Sequence, residues 1–390
     1  MSFLKDPTDL DNLKKIPPNA VRDFVTRLNA VTPDLLNGRK LVAAIGTGGT
    51  ISMRVENGIS VPDLDFNKIL LHTNSDLTNL FYIESLDAFC IDSAQMNYAH
   101  ARELAIVMSY VFANIKVPFE GFLVTHGTDT MAYSSATLSL MLGQGLPFSV
   151  VYTGAQKPIQ EPMNDAGVNV RNALFTLEAL KQKDMAEVVI VMAERAMLAT
   201  SAMKVDDTLV HAFDAPLHKY ISKFSALEYP IRLAPWLNPK RNKPFMPKIW
   251  TNDYSRTLVV HSSLGLAPKH VKYQLGAPDI QAVLLFSYGA GTADQNIIDV
   301  IHEQAIARDL PMFVVSPVNA KYKVVYESAK DMVEKGFVPL NLTLPAALAK
   351  IEIALNEFSG DTKALGAFMQ EDYVGEVPGE QSRFRPVLER

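Results

Sequence analysis

The chain has 390 residues, enough for more than one domain, with 48% hydrophobic and 20% charged residues, the balance of an ordinary soluble globular protein. A formal net charge of −5 argues against nucleic acid or an anionic membrane as partner, and no apolar run approaches the roughly 20 residues of a membrane span. The single cysteine, Cys90, excludes an intrachain disulfide, and eight scattered histidines show no metal-ligand spacing, so no metal is expected.

Met1 to Asp11 is polar and acidic and lacks the basic and apolar regions of a signal peptide, which leads us to expect a cytoplasmic protein. Residues 1–37 read as a helical extension, with Val21, Phe24, Val25 and Leu28 at helical spacing behind Pro17-Pro18. From Lys40, strand-like apolar runs alternate with helical stretches. The strand candidates are 41–46, 80–84 with 87–91, 121–125, 148–152, 186–192, 281–286 and 311–315; the helix candidates are 99–113, 134–142 and 164–181. Cys90, between Phe89 and Ile91, is expected to be a buried, inert thiol. Alternation of this kind predicts an α/β fold: a larger N-terminal domain (38–229) built on a mostly parallel sheet and a smaller C-terminal α/β domain (256–390). Between them, residues 230–255 carry five prolines around Lys240-Arg241-Asn242-Lys243, a composition that forbids helix and reads as an interdomain linker with a solvated basic cluster. The polar end from Pro378 to Arg390 reads as disordered.

Two segments carry the chemistry. Gly46-Thr47-Gly48-Gly49-Thr50-Ile51 follows the first strand candidate, and His126-Gly127-Thr128-Asp129-Thr130-Met131 follows the run 121–125. At the carboxyl edge of an open α/β sheet, the place where ligands bind, Thr50 and Thr128 would face one crevice with Asp129 beside them. The first segment has neither the third glycine of a dinucleotide fingerprint nor the Gly-Lys-Ser/Thr ending of a P-loop, which leaves Thr50 as its reactive group. A threonine hydroxyl needs a base or a special environment to act as nucleophile; Asp129 could orient a substrate ammonium and a nearby lysine could serve as base. The competing structural readings are an N-cap pair for Thr128-Asp129, a packed neighbour for His126, a surface charge for Lys204, and an N-cap of the helix from residue 97 for Ser93.

With these motifs in hand, the chain resembles the bacterial-type L-asparaginase family, which hydrolyses the side-chain amide of asparagine. The likeness runs from about residue 40 to 375 and rests on Thr47-Gly48-Gly49-Thr50-Ile51, Asp92-Ser93-Ala94-Gln95-Met96, 126–131 and Thr153-Gly154-Ala155-Gln156. Ser287-Tyr288-Gly289-Ala290-Gly291 and Asp372-Tyr373-Val374-Gly375-Glu376 look closest to the cytoplasmic type I branch. The resemblance implies Thr50 as primary nucleophile forming an acyl-enzyme, with Thr128, Asp129 and Lys204 as the second group. It implies Ser93 and Asp129 as holders of the substrate α-carboxylate and α-ammonium, and backbone N–H groups near Thr128 and in the loop at Gly49 as oxyanion donors. It further implies no cofactor, L-asparagine as the small-molecule substrate, and a homotetramer built as a dimer of dimers in which a neighbour's C-terminal domain completes each site.

The sequence departs from the family in two places. The lid that follows the first threonine, Met53 to Pro62, lacks the family's activating tyrosine; Ile59 or Ser60 stands there. Ala94 replaces a substrate-contacting glutamine of the type II branch. Two alternatives accompany the asparaginase reading: the amidase subunit of a tRNA-dependent amidotransferase, and an amino-acid sensor that kept the pocket and lost turnover.

Overall fold

The computed structural model describes residues 3–56, 59–62, 76–159, 161–224, 231–237, 243–317 and 326–379, with the backbone alone at 52–56, 59–62 and 76. The Asn57-Gly58 turn, the cluster's Lys240-Arg241-Asn242 and the tail from 380 lie outside the described residues.

The larger sheet holds seven strands: β1 (Lys40–Gly48), β4 (Phe81–Ile91), β5 (Gly121–Thr125), β6 (Ser149–Thr153), β7 (Val188–Met192), β8 (Arg195–Leu198) and β11 (Ser222–Lys223). Their spatial order is β11-β8-β7-β6-β5-β1-β4. β4, β1, β5, β6 and β7 run parallel, and β8 returns antiparallel to β7. Between β1 and β4 lies an antiparallel hairpin, β2 (Met53–Glu56) with β3 (Ile59–Pro62). A second hairpin pairs β9 (Met203–Lys204) with β10 (Phe213–Asp214). The inner strands are buried on both faces, which is why they read as continuous apolar runs instead of alternating ones. One face packs Ala43, Ile45, Phe122, Val124, Val150 and Tyr152 against helices α4 (Tyr98–Asn114) and α5 (Met131–Leu142). The other packs Val42, Ala44, Leu123, Val151 and Val189 against α6 (Ala166–Gln182).

The smaller sheet is wholly parallel: β12 (Thr257–His261), β13 (Ala282–Phe286), β14 (Met312–Val315) and β15 (Val338–Pro339), in that order. Its helix Leu344–Glu357 packs against α5, so α5 lies between the two units and is buried on every side except at Tyr133. Salt bridges tie the small unit together. Glu352, fully buried, accepts from the Arg256 backbone and guanidinium, and Lys350 meets Glu376 at 2.7 Å with both side chains buried. Each pair is buried with its further polar contacts satisfied, the condition under which a buried charge is tolerable.

The N-terminal extension is folded onto the larger unit. Its helix α1 (Pro18–Asn29) buries Val21, Phe24, Val25 and Leu28 as the periodicity predicts. The fully buried Glu103 carboxylate accepts the backbone N–H groups of Lys14, Lys15 and Ile16. The proline-rich stretch is also anchored: Leu237, Ile249 and Trp250 are buried and Phe3 bridges to Trp250.

Three readings are corrected. The runs 80–84 and 87–91 are one strand, β4. Cys90 is exposed: β4 is an edge strand, and its pairing slips from Gly46↔Asp87 to Gly48↔Ile91, a bulge that turns Cys90 outward. Residues 257–261 form β12, absent from the predicted strands; its apolar run is only Leu258-Val259-Val260, three residues between Thr257 and His261 just beyond a proline-rich stretch, too short to stand out from it.

Candidate functional site

Register alone gathers the motifs. Because β1, β4, β5 and β6 are parallel and paired Gly46↔Thr125, Gly48↔Ile91 and Thr125↔Thr153, the segments that follow them all leave the same carboxyl edge. These are Gly49-Thr50, Asp92-Ser93, 126–129 and Gly154.

Glycine makes their approach possible. Gly48 and Gly49 adopt φ of +91° and +84°, and a Cβ on Gly49 would stand 2.3 Å from Gly127 N and 2.4 Å from its Cα. A Cβ on Gly127 would fall 2.6 Å from Ser93 Oγ. The two motif loops therefore touch backbone to backbone, with Ser93 against them. Gly49 and Gly127 are each followed directly by a threonine, Thr50 and Thr128.

The charged group comes from farther along the chain. Lys204, on the hairpin β9–β10, places Nζ 3.0 Å from Thr128 Oγ1 and 2.6 Å from Asp129 Oδ1. The Thr128 residue is 6% exposed, whereas the Asp129 side chain is 65% exposed and open to a ligand. Thr50 is partly buried at the start of a 3-10 turn and forms no hydrogen bond with Thr128, Asp129 or Lys204 among the described residues. Ser93 is buried, and its carbonyl accepts from the Thr130 hydroxyl at 2.8 Å.

The structure decides between the competing local readings. Asn97, and not Ser93, caps α4, its side chain accepting from Ala99 N; Ser93 opens a 3-10 turn capped by Asp92. Thr130 occupies the N-cap position of α5 and makes no side-chain cap bond, so Thr128 and Asp129 are not spent on capping. Lys204 is no free surface charge. His126 is packed and fully buried, its pKa pushed down to about 4 by burial.

The residue reading missed the polar frame behind the site. Asp165 accepts from the Gln156 and Lys157 backbones, so its carboxylate holds the loop after β6 and not the start of α6. Asn169 donates to Gly154 O and Asp165 Oδ2 and accepts from Ala193 N; Asn172 donates to Ala193 O. Polar residues at 165, 169 and 172 share one helical face, the signal that could have exposed them. A cavity of about 630 Å³ opens beside this frame, lined by Asp165, Asn169, Asn172, Ala193, Glu194 and Phe224, among others. Its lining includes none of Gly49, Thr50, Ser93, Thr128, Asp129 or Lys204.

Among the described residues no group of three His, Cys, Asp or Glu is arranged to hold a metal ion, and no helix is long and apolar enough to cross a membrane. Fold and site together define a two-unit α/β protein with paired threonines, a lysine and a carboxylate converging on one sheet edge. The family model described as asparaginase, N-terminal, matches residues 41–235. The L-asparaginase of Thermococcus kodakarensis is 30% identical over 347 residues, spanning 86% of this chain and 98% of that protein. Its solved structure matches with a TM-score of 0.73 at 25% identity, covering 87% of this chain and 99% of the other. A glutamyl-tRNA(Gln) amidotransferase subunit of Methanothermobacter thermautotrophicus is 26% identical over 86% of this chain and 76% of its own length. The fold is also that of L-asparaginase I from Vibrio cholerae, with a TM-score of 0.71 at 23% identity over 87% of this chain and 100% of that one. The chain belongs to the asparaginase family.

Proposed function

We propose that this chain hydrolyses the side-chain amide of L-asparagine to L-aspartate and ammonia, with Thr50 as nucleophile. The observation that supports this most is the contact of Lys204 with both Thr128 and Asp129, directly beside the glycine contact that presents Thr50. Binding alone does not call for a lysine against a threonine hydroxyl. Proton transfer does.

In this reading the Thr50 oxygen bonds to the amide carbon, the carbonyl electron pair moves to oxygen, and the threonine proton leaves with the departing ammonia. Water then cleaves the ester and regenerates Thr50. Asp129, the exposed carboxylate, takes the substrate α-ammonium, and Ser93 the α-carboxylate. When that ammonium engages Asp129 it competes with Lys204, freeing the lysine to exchange a proton with Thr128. Gly49 and its neighbours line the oxyanion side. No cofactor enters. The active form is a homotetramer, a dimer of dimers, in the cytoplasm, and light scattering of active material checks the assembly. The lid without its tyrosine makes activation of Thr50 the step to measure.

The deciding experiment is ammonia release from L-asparagine by the wild type, Thr50→Ala and Lys204→Met. Saturable turnover lost in both variants supports the mechanism. Turnover retained in Thr50→Ala removes Thr50 as nucleophile, and asparagine binding without turnover favours a sensor. The likeness to an amidotransferase subunit supports a second reading, amide hydrolysis that feeds ammonia to a partner acting on charged tRNA. Ammonia release that depends on such a partner would select it.

A further inference from the structure

His126 is wholly buried and tied at both ends. Its backbone N–H donates to Thr153 O at 2.9 Å, and its Nδ1 lies 2.7 Å from the carbonyl oxygen of Gly127, the next residue. A carbonyl can only accept, so the imidazole carries its proton on Nδ1. Burial keeps the ring neutral and leaves Nε2 without a hydrogen-bond partner among the described residues; the Tyr152 ring packs alongside, the ring centroids 5.7 Å apart.

This bond has a consequence for the neighbouring peptide. A trans peptide sets C=O and N–H in opposite directions. Holding the Gly127 carbonyl toward the buried His126 ring turns the Thr128 N–H away from it, and that N–H forms no hydrogen bond among the described residues. Gly127 is free to rotate where a residue with a Cβ is not, and it cannot gain one, since that atom would stand 2.6 Å from Ser93 Oγ. Some other group must then keep the Gly127–Thr128 peptide from flipping. His126 is placed to do it.

We propose that His126 is a positioning residue that clamps the Gly127–Thr128 peptide, so that the Thr128 N–H faces the substrate and donates to the amide oxygen as it takes up negative charge. The inference rests on the amide-hydrolysis reading. In the attack step His126 exchanges no atom or proton with substrate; the electron pair arriving on oxygen is met by a donor whose direction His126 has set.

Three variants test it. His126→Leu keeps bulk without a donor. His126→Asn places an amide N–H where Nδ1 stands, and His126→Gln places it one methylene too far. The loss of one oriented oxyanion donor predicts a kcat about 100-fold lower in the Leu and Gln variants. KM should change by less than about threefold, since the donor acts on charge that develops only in the transition state. The Asn variant should recover most of kcat. Crystal structures supply a readout independent of turnover: the Gly127–Thr128 peptide should rotate in the Leu or Gln variant and keep its orientation in the Asn variant. If the Leu variant does not fold, the Asn and Gln pair carries the comparison. An unmoved peptide in the Leu or Gln variant, or equal losses of kcat in Asn and Gln, overturns the clamp. A wild type that releases no ammonia from any amide removes the hydrolysis reading instead, and the peptide orientation then still decides what His126 holds.

Discussion

Both units of this protein are built on sheets whose central strands run parallel, with a glycine-containing segment at the carboxyl edge, and they use that edge differently. In the smaller unit β13 runs into Ser287-Tyr288-Gly289-Ala290-Gly291, where serine hydroxyls are tied to the main chain: Ser287 Oγ donates to Val315 O at 3.0 Å and, from the end of the neighbouring strand, Ser316 Oγ to Gly289 O at 2.7 Å. In the larger unit Thr47 is tied the same way, to Thr125 O, but the Thr128 hydroxyl meets a lysine Nζ instead. Sheet topology supplies a place where loops converge. Chemistry begins only where a side chain from a separate element adds charge to it, here Lys204 of β9, 76 residues beyond Thr128. A hydroxyl spent on a carbonyl stabilises a turn, whereas one facing an ammonium and a carboxylate can exchange a proton.

The sharpest way to break this comparison is Gly49→Ala. The added Cβ would meet the Gly127 backbone at 2.3 Å in a conformation with φ of +84°, and neither neighbour is a flexible side-chain end. Ammonia release is expected to fall at least about 100-fold, as for a misplaced reacting group. Near-normal turnover would mean that the two threonine loops need not touch.

A smaller effect, on stability first, is expected from Asn169→Ala. It leaves Ala193 N and Gly154 O without their partner in a fully buried place, a loss of about 2–4 kcal/mol for two unsatisfied groups. Denaturant unfolding reads it. An unchanged midpoint would show that the frame behind the site is dispensable.

Acid titration sharpens the same contrast, because the depressed histidines lie in the larger unit. His126 and His100 are both lowered to about 4 from 6.5 by burial, His100 secondarily by Lys15. A depressed folded-state pKa means that the unfolded chain takes up the proton first as pH falls. The stability from keeping these rings neutral is therefore complete above about 6.5 and is lost between there and about 4. Tm should drop across that window, and His100→Asn, which keeps an acceptor for the Asn97 N–H, should flatten the drop. An unaltered slope would locate the acid sensitivity elsewhere.

The smallest change is expected at the other sheet edge. Ser316→Ala removes one bond to Gly289 O, costs about 1 kcal/mol and leaves ammonia release as it was. A large loss of turnover would erase the distinction between the two edges.

Much of the scaffold was legible from one dimension. Strands buried on both faces announce themselves as continuous apolar runs, and the glycines and hydroxyls after 41–46 and 121–125 mark where the chain leaves the sheet. Strand β12 escaped because its apolar run, Leu258 to Val260, is only three residues long beside the proline-rich stretch, and Cys90 because a bulge, which alternation cannot foresee, redirects the edge strand. Lys204 carries no local mark of its place. Met203-Lys204-Val205 resembles any exposed segment, and only the resemblance to a family singled it out. Asp165 and Asn169 read as the start of a helix, yet their side chains serve the neighbouring loops.

The sequence by itself determined the class of fold, the two-unit order and the identity of the paired threonine motifs, because these depend on local periodicity and on backbone freedom encoded residue by residue. Tertiary structure alone decided which groups meet: Gly49 with Gly127, Lys204 with Thr128 and Asp129, and the buried His126 ring with the carbonyl oxygen of Gly127. The reason is physical. Parallel register and crossover packing set distances between segments far apart in the chain, and hydrogen bonds and ion pairs form or fail within a fraction of an ångström that no local pattern encodes.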